Sequence, residues 1–400
     1  MLGLYVHIPF CSAICNYCNF NRGLYDARLK ERYVDALVTE IMGGGPDPGK
    51  GGPDKVRPAT TTAADTVRPA ADKVRPKADT IYFGGGTPSL LEPGEVGRII
   101  RACEGSFQLA AEREVTLEAN PESVTAARLG AFREAGVNRV SFGVQSFRDD
   151  ELKRLSRLHG AARARAAFGE ARSAGFDNIS VDLMMWLPGQ RVDEWLESVD
   201  SAIDLGPEHV SLYMLEVYPN APLKEEMARS RWSQAPDEDV ARMYEAAMER
   251  LGAAGLEQYE ISNVARPGRR SRHNVKYWSD GQWIGFGCGA HSTSGASRWK
   301  NVAATEDYID RLVRGESPAI DVHRLSPAER LGDALFTGLR LVEGVDMGMI
   351  QARYGVDVWQ RYSRDFQPFL EEGLLRREDG RLWLTRRGML LAHEVMAIFV

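Results

Sequence analysis

The sequence predicts an α/β protein, built as a partial (β/α)6 barrel with a smaller C-terminal winged-helix-like α+β unit. Two observations support this fold class. Six short apolar runs alternate with longer amphipathic stretches over the first half of the chain, and the last eighty residues break that alternation. Repeated strand-helix units imply right-handed crossovers and a parallel sheet covered by helices. Six units favour an open barrel over a complete eight-stranded one.

The predicted strands are apolar runs with the length and composition of buried strands. They cover residues 2–8, 80–85, 114–120, 138–144, 177–185 and 208–215. Helical periodicity predicts helices over residues 29–42, 95–107, 126–135 and 193–205. With 44% hydrophobic residues, a chain of 400 residues can bury a core of this size. We therefore assign residues 1–220 to the barrel.

One segment inside the barrel, residues 43–79, has a different composition. It contains no aromatic residue, no Leu and no Ile, while twelve of its thirty-seven residues are Gly or Pro. A short unit recurs in it as "DKVRP", "DTVRP" and "DKVRP". Such a composition cannot bury enough apolar surface to fold, which predicts a disordered insert. A docking tail stays open as the alternative.

After residue 220 the alternation fades, and two further regions follow. Residues 221–320 form an extension that carries the motif "HNVKYW". Residues 321–400 predict two short amphipathic helices, a hairpin that turns at Asp379 and Gly380, and a final helix. This order is typical of a winged-helix-like unit. Eleven Arg and no Lys face twelve acidic residues there, so the basic surface of a nucleic-acid-binding domain is missing.

Charge and hydropathy narrow the compartment and the partners. The net charge is -6, so the sequence has no overall positive charge that would attract nucleic acid. It also lacks the run of about eighteen apolar residues that a membrane-spanning helix needs. The first residues, "MLGLYVHIP", lack the basic region of a secretion signal. We therefore expect a cytoplasmic protein, with peripheral membrane contact left open. In a reducing compartment, clustered cysteines are metal ligands or redox groups.

Three of the five cysteines lie within eight positions, with the spacing C-x3-C-x2-C. They are Cys11, Cys15 and Cys18. A zinc site is one interpretation, with His7 as fourth ligand. A 4Fe-4S cluster matches better, because cysteine thiolates are its standard ligands and three of them leave one iron open to a substrate or cofactor. Neither Cys103, in an apolar helical stretch, nor the distant Cys288 completes the site.

The cysteine motif, with the aromatic Tyr17 just before its last cysteine, resembles that of the radical S-adenosylmethionine (SAM) proteins. The resemblance implies a cluster held by Cys11, Cys15 and Cys18. It also implies that the open iron binds the amino and carboxylate groups of SAM. In that family the reduced cluster cleaves SAM to a 5′-deoxyadenosyl radical, which requires an electron donor as a partner.

Further motifs follow the predicted strands, where barrel proteins build their sites. A dinucleotide loop is the rival interpretation of "GGGTPS", but there is no G-x-G-x-x-G, and Pro88 stands where a phosphate-binding helix would begin. Side-chain-free residues there allow close backbone approach to a ligand. The resemblance implies that this stretch contacts the amino group of SAM through Gly85, Gly86 and Thr87.

Polar residues at the ends of later strands complete the predicted SAM site. Taken singly, each of these residues has a plainer interpretation. Glu118 would end a strand and cap a helix, Gln145 would bond to loop backbone, and Asp182 would be a buried hydrogen-bonding group. Arg157 would be a solvated helical residue. Together and in order they resemble the SAM-binding set of one subfamily. That resemblance implies a SAM site formed by Tyr5, Tyr17, Glu118, Gln145, Arg157 and Asp182.

The subfamily contains the oxygen-independent coproporphyrinogen III oxidases and the HemW-type heme chaperones. The oxidases carry a further cysteine where this chain has Phe20, and they begin with an extra N-terminal segment. The motifs "YEISN" (Tyr259 to Asn263) and "HNVKYW" (His273 to Trp278) resemble the chaperones. We therefore predict a protein that binds heme, a 4Fe-4S cluster and SAM and passes heme to an acceptor protein. The alternatives are an oxidative decarboxylase of coproporphyrinogen III and a radical SAM enzyme with an unrelated substrate.

The motif "HNVKYW" contributes the candidate heme ligand. Histidine is a standard axial ligand of heme iron, so His273 is the candidate, and Tyr277 and Trp278 offer flat apolar surface. A hydrogen-bonding histidine in a loop is the plainer interpretation. His291, in "GFGCGAHS", is an alternative ligand or a residue on the SAM side. The heme propionates have candidate partners in Arg269, Arg270 and Arg272, which otherwise form a solvated charge run.

Two residues depart from the family pattern. Trp186 stands before "LPG" where related sequences commonly have Gly, and we expect it to narrow the cavity above the barrel. Cys288 lies in a Gly-rich loop where no thiol is expected. Neither touches the cysteine motif, and the sequence leaves a homodimer open.

Overall fold

A computed structural model describes residues 1–44 and 75–399. The strands are β1 (Leu2–Ile8), β2 (Phe10–Cys11), β3 (Gly23–Leu24), β4 (Lys77–Gly85), β5 (Gln108–Ala119), β6 (Arg139–Gln145), β7 (Ile179–Met185), β8 (His209–Met214), β9 (Glu257–Glu260), β10 (Asn263–Ala265), β11 (Trp283–Phe286), β12 (His291–Ser294), β13 (Ser297–Asn301), β14 (Ala319–Arg324), β15 (Val345–Asp346), β16 (Leu375–Glu378) and β17 (Arg381–Leu384).

The helices lie between and after these strands. They are α1 (Ala27–Met42), α2 (Pro93–Ser106), α3 (Ala126–Glu134), α4 (Asp149–Arg154), α5 (Ala161–Ser173), α6 (Val192–Leu205), α7 (Pro222–Ser230), α8 (Asp237–Ala253), α9 (Arg272–Trp278), α10 (Thr305–Val313), α11 (Pro327–Gly338), α12 (Met347–Tyr354), α13 (Val358–Glu371), α14 (Arg386–Leu390) and α15 (Ala392–Met396). None of the helices in the described ranges is long and apolar enough to cross a membrane.

Six parallel strands form the centre of the main sheet, in the order β1-β4-β5-β6-β7-β8. Their apolar residues are almost wholly buried, because helices cover the outer face of the sheet and side chains fill its inner face. This confirms the predicted partial (β/α)6 barrel. Parallel pairing also brings the carboxyl ends of all six strands to one rim, where the predicted site residues lie.

The start of β4 corrects the predicted insert. Residues 77–79 belong to the strand, and Asp79 is 7% exposed, with ion pairs to Lys276 at 2.7 Å and Arg272 at 3.0 Å. Composition did not reveal this, because the strand end is held by charge pairing and not by apolar residues. Gly43 caps the carboxyl end of α1. The remainder of the insert prediction, residues 45–74, lies outside the described residues.

The extension after residue 220 adds strands to both edges of the main sheet. Beyond β8 lie the antiparallel strands β10 and β9; beyond β1 lies the parallel β11, followed by the antiparallel β12, β13 and β14. The strand β14 (Ala319–Arg324) spans residue 320, which the sequence analysis took as the start of the C-terminal unit.

The C-terminal unit has a core of its own and a three-stranded sheet in the order β15-β17-β16. Its hairpin turns at Asp379 and Gly380, whose φ values of 47° and 78° are both positive, as a type I′ turn requires. The predicted two helices, hairpin and final helix are present in that order. This confirms the winged-helix-like α+β unit.

The motif "YEISN" joins this unit to the barrel. The amide of Ile261 donates to the carbonyl oxygen of Arg340 at 3.0 Å, and the amide of Val342 donates to that of Tyr259 at 3.0 Å. The fully buried carboxylate of Glu260 accepts from Nη2 of Arg340 at 2.9 Å. A motif that the sequence indicated only as a family hallmark therefore has a structural role.

Candidate functional site

A cavity of about 500 Å³ opens at the carboxyl ends of the six parallel strands. Every residue predicted for the cluster and for SAM lines it, although these residues come from separate elements. They are Tyr5, Cys11, Cys15, Tyr17, Cys18, Gly85, Gly86, Thr87, Glu118, Gln145, Arg157 and Asp182. The fold thus brings together in one place what the sequence spreads over 178 positions, from 5 to 182.

The three cysteines lie on the segment that follows β1. Hydroxyl Oγ1 of Thr87 lies 3.7 Å from Sγ of Cys11, and Nη1 of Arg157 lies 3.5 Å from Sγ of Cys15. The amide of Cys18 donates to the carbonyl oxygen of Cys15 at 3.3 Å. Burial raises the pKa of the Cys11 and Cys18 thiols. Such thiols become thiolates when they coordinate a metal, which deprotonates them outright.

His7 does not serve as a fourth ligand beside these thiols. Its Nδ1 lies 3.1 Å from the Tyr5 hydroxyl, and its Nε2 lies 2.8 Å from the carbonyl oxygen of Asn21, so both ring nitrogens are occupied. Within residues 1–44 and 75–399, no three His, Cys, Asp or Glu side chains are arranged to hold a single metal ion. A 4Fe-4S cluster does not require its ligands to converge on one metal ion, since each thiolate binds its own iron. The donor set therefore fits a cluster better than zinc.

The glycines of "GGGTPS" lie directly against the cysteine segment. The amide of Gly86 donates to the carbonyl oxygen of Ile8 at 2.8 Å, and that of Thr87 to the carbonyl oxygen of Phe10 at 2.7 Å. A Cβ at Gly86 would come within 2.7 Å of the Phe10 oxygen. The close approach that glycine permits is thus first an approach to the cysteine segment, and it leaves the backbone of this stretch on the cavity wall.

Two carboxyl groups form the floor of the cavity. Glu118 accepts hydrogen bonds from the Tyr82 hydroxyl at 2.8 Å and from the Gly85 amide at 3.2 Å, and Asp182 accepts from the Ser141 hydroxyl at 3.1 Å. Burial raises the pKa of Glu118 to about 7 and also raises that of Asp182. A cationic ligand would stabilise both groups in their charged form. SAM, which carries an ammonium and a sulfonium group, is such a ligand.

Gln145 and Arg157 occupy the wall between the floor and the cysteines. Gln145 has φ of 69°, and its buried Oε1 has no hydrogen-bond partner, which leaves it available to a ligand. Nη2 of Arg157 donates to the Gly143 carbonyl at 2.8 Å and to Oδ1 of Asn120 at 2.7 Å. Asn120 also donates to the Thr87 hydroxyl at 3.1 Å.

Asn120 is a cavity residue that the sequence reasoning missed. It stands two positions after Glu118, and side chains two apart in an extended segment face the same way. That spacing was the available signal. Its contacts hold the Arg157 guanidinium beside Cys15.

The motif "HNVKYW" forms the helix α9, where the sequence suggested a loop, and His273 is 1% exposed there. Its Nδ1 lies 2.8 Å from the Thr80 hydroxyl and its Nε2 lies 2.8 Å from the Tyr277 hydroxyl. Burial lowers its pKa to about 3. Both nitrogens are occupied and the ring does not line the cavity, so this geometry does not support His273 as a heme ligand.

The other candidates for heme contact also lie away from the cavity lining. His291 is exposed on β12. The three arginines predicted for the propionates have acidic partners within the protein: Arg269 pairs with Asp177, Arg270 with Glu343 and Arg272 with Asp79. The guanidinium carbon of Arg340 lies over the Trp278 ring, 4.2 Å from the centre of that ring. This arrangement favours a role of the segment in joining the barrel to the C-terminal unit.

The two departures from the family pattern have structural explanations. Trp186 has φ of 65°, a left-handed conformation that explains why glycine suits the position. Its Nε1 donates to the Ala235 carbonyl at 2.8 Å, and it does not line the cavity, so the prediction that it narrows the cavity is wrong. Cys288 is fully buried, with its sulfur 3.7 Å from the Thr305 hydroxyl.

Comparison with known proteins agrees with this site. The family model described as "Radical SAM superfamily" matches residues 5–202, and that of the "HemN C-terminal domain" matches residues 325–391. The Heme chaperone HemW of Bacillus subtilis (strain 168) is 35% identical over 409 residues, which cover all of this chain and 99% of that protein. The chain belongs to the HemW family of radical SAM proteins.

Other relatives extend this family assignment. The Heme chaperone HemW of Mycobacterium tuberculosis (strain ATCC 25618 / H37Rv) is 36% identical over 98% of this chain and 93% of its own length. The mouse protein "Radical S-adenosyl methionine domain-containing protein 1, mitochondrial" is 34% identical over 99% of this chain and 85% of its own length. Membership of the radical SAM superfamily implies a 4Fe-4S cluster and SAM.

A solved structure confirms the fold of this HemW family member. Coproporphyrinogen III oxidase (HemN) from Escherichia coli superposes with a TM-score of 0.81, covering all of this chain and 89% of that one. At 21% identity the likeness extends to the fold alone.

Proposed function

We propose that this protein is a heme chaperone that binds a 4Fe-4S cluster, SAM and heme, and delivers the heme to an acceptor protein. The observation that carries the proposal is the composition of the cavity. Its inner part joins three thiols to a floor of buried carboxyl groups, while Phe20, 65% exposed, lies on its rim where the oxidases have a further cysteine. The names of the relatives at about 35% identity support heme as the cargo.

Different residues of the cavity would bind the cluster and SAM. Cys11, Cys15 and Cys18 would hold the cluster, which when reduced supplies the electron for SAM chemistry. Glu118 and Asp182 would bind the positive groups of SAM and keep them at the floor. Arg157, fixed by Asn120 and Gly143, lies 3.5 Å from the sulfur of Cys15 and would offer its remaining N–H donors to the carboxylate of SAM.

A coproporphyrinogen III oxidase is the second candidate, favoured by the fold shared with the Escherichia coli enzyme. Phe20 argues against it, because a phenyl ring supplies neither a thiol nor a proton at that position. Relatives with the chaperone name also match over the full length. We therefore place the oxidase second.

Matched cysteine variants test the cofactor part of the proposal. After anaerobic reconstitution the wild type should hold about four irons and four sulfides per chain. Cys18→Ala should lose most of this iron, whereas Cys103→Ala should keep it, because Cys103 is buried in α2 away from the cavity. Equal iron content in both variants, or zinc in place of iron, would contradict the proposed cluster.

Heme transfer tests the delivery part. The heme-loaded protein is mixed with increasing amounts of a purified b-type apocytochrome, and the Soret change is followed by stopped flow. Delivery by contact predicts a transfer rate that rises with acceptor concentration. A rate that stays equal to that of spontaneous heme loss would identify a heme binder without delivery.

A further inference from the structure

The mouth of the cavity carries a group of exposed apolar side chains. We call the mouth surface the four residues Phe20, Tyr213, Met214 and Tyr218, which are 65%, 44%, 48% and 39% exposed and all line the cavity. Phe20 comes from the cysteine segment, and the other three come from the end of β8 and the turn after it. Exposed apolar groups that rim a cavity mark a binding surface.

Packing beneath β8 explains why these side chains face outward. Leu215 is 2% exposed and packs with Met184 and Leu187. Leu215 anchors the end of β8, while Tyr213 and Met214, the last two residues of the strand, remain 44% and 48% exposed. The Tyr218 hydroxyl donates to Oε2 of Glu216 at 2.7 Å, which fixes the ring at the rim. The mouth surface is thus held in place by the core and not by a partner within the described chain.

The cavity therefore offers two chemistries at two depths. Its floor, with Glu118, Asp182 and the unpartnered Gln145 oxygen, suits a small charged cofactor. The volume of about 500 Å³ covers the floor and the mouth together, because both line the same cavity. The mouth surface is aromatic and aliphatic, which suits a flat apolar ring system. A macrocycle that does not fit beside the cofactor finds its contact area at the mouth.

We propose that heme binds at the mouth surface, with its flat face against Phe20 and Tyr218 and with the thioether of Met214 as an axial ligand of its iron. The proposal rests on the proposed function, because it takes heme as the ligand. It separates the heme site from "HNVKYW" and places it above the SAM site.

Elimination among the ligand types selects Met214. Heme iron is held by His, Cys, Met or Tyr side chains. Among the described cavity residues, His7 has both ring nitrogens occupied and the cysteines belong to the cluster motif. The hydroxyls of Tyr5 and Tyr218 are bonded to His7 and Glu216, and Tyr17 and Met184 pack in one apolar cluster. Burial raises the pKa of Tyr213, which disfavours the phenolate that binds iron. The sulfur of Met214, on a half-exposed side chain, is free to reach an iron atom over the mouth.

Two porphyrins as probes separate ligation from stacking. Heme and iron-free protoporphyrin IX are titrated into the reconstituted wild type and three variants, each first shown to keep its iron content. Met214→Leu should move the Soret band and weaken heme binding about tenfold, while protoporphyrin binding stays unchanged because no iron bond is lost. Phe20→Ser should weaken both porphyrins, about tenfold each, because both lose the stacked ring.

Met349→Leu is the matched control, since Met349 is 70% exposed on α12 in the C-terminal unit, away from the cavity lining. It should leave both titrations unchanged. A wild type that binds heme while Met214→Leu and Phe20→Ser retain its band and affinity would overturn the mouth site alone. A wild type that binds no heme would overturn the proposed function and this site with it.

Discussion

The rings of His273 and Tyr82 stack inside the barrel, with centroids 5.1 Å apart and an angle of 29° between their planes. The hydroxyl of Tyr82 in turn donates to Glu118 at 2.8 Å. Two contacts therefore connect "HNVKYW" to the floor of the cavity. His273 therefore supports, through Tyr82, the position of Glu118 in the floor of the cavity.

Replacement of His273 by Ala should destabilise the protein without abolishing heme binding. The change leaves the hydroxyls of Thr80 and Tyr277 without their partner and opens a space beside Tyr82, at a cost of about 3 kcal/mol in unfolding free energy. SAM affinity should fall because Glu118 loses support through Tyr82. Denaturant unfolding, SAM binding and heme titration check this. Normal stability together with a lost Soret band would instead identify His273 as the heme ligand.

The unfolding free energy of the protein should depend on pH through the protonation of His273. Because burial lowers its pKa from 6.5 to about 3, the unfolded chain takes up a proton below pH 6.5 that the folded chain does not bind. The wild type should thus lose about 2 kcal/mol between pH 7.5 and pH 5 through this one group. His273→Asn should lack that part of the slope. Parallel pH dependences of unfolding free energy in the two proteins would contradict the buried neutral imidazole.

Sequence periodicity was sufficient for the barrel because its six parallel strands are buried on both faces. The strand β7, "ISVDLMM", carries apolar side chains at five of its seven positions, so its pattern stands out without a partner strand in view. The antiparallel strands β12 and β13 read "HSTS" and "SRWKN", and their pairing depends on neighbours that the local sequence does not show. They were accordingly not predicted.

The residues of the candidate site also fall into those that the sequence indicates and those that it does not. The cysteines stand out by their spacing, whereas the residues predicted for SAM follow from the family resemblance, and the structure places both groups around one cavity. The ligating chemistry of the His273 imidazole is visible in the sequence, whereas its burial against Thr80 and Tyr82 is a tertiary fact that the sequence does not show. Met214, the proposed heme ligand, gives no signal in the sequence, because a methionine at the end of an apolar strand has the pattern of a core residue.

Gly86→Ala should disturb the cysteine segment. The new Cβ would lie 2.7 Å from the Phe10 oxygen and 2.9 Å from that of Ile8, both backbone atoms that cannot move away without shifting the segment. Iron content and SAM affinity should both fall. Gly94→Ala is the control, since its Cβ would meet nothing within 4 Å and Ala is favoured in a helix. Equal iron content in the two variants would show that the close approach is not required.

The insert boundary can be tested with two deletions. Replacement of residues 45–74 by a short Gly/Ser linker should leave the melting temperature and iron content nearly unchanged, following the low apolar content of the segment. Extension of the replacement through Asp79 should lower the melting temperature, because the ion pairs with Lys276 and Arg272 are lost. A large loss of stability in the shorter deletion would mean that the segment contributes to folding.

The central claim, a heme chaperone in place of a coproporphyrinogen oxidase, is tested most directly by one anaerobic sample assayed for both activities. The reconstituted protein with SAM and a reductant is titrated with heme and then supplied with coproporphyrinogen III. The account predicts about one heme per chain, with a Soret band distinct from that of free heme. It also predicts no decarboxylated product above the level of a cluster-free Cys18→Ala control. Sustained decarboxylation by the wild type, in the absence of heme binding, would contradict it.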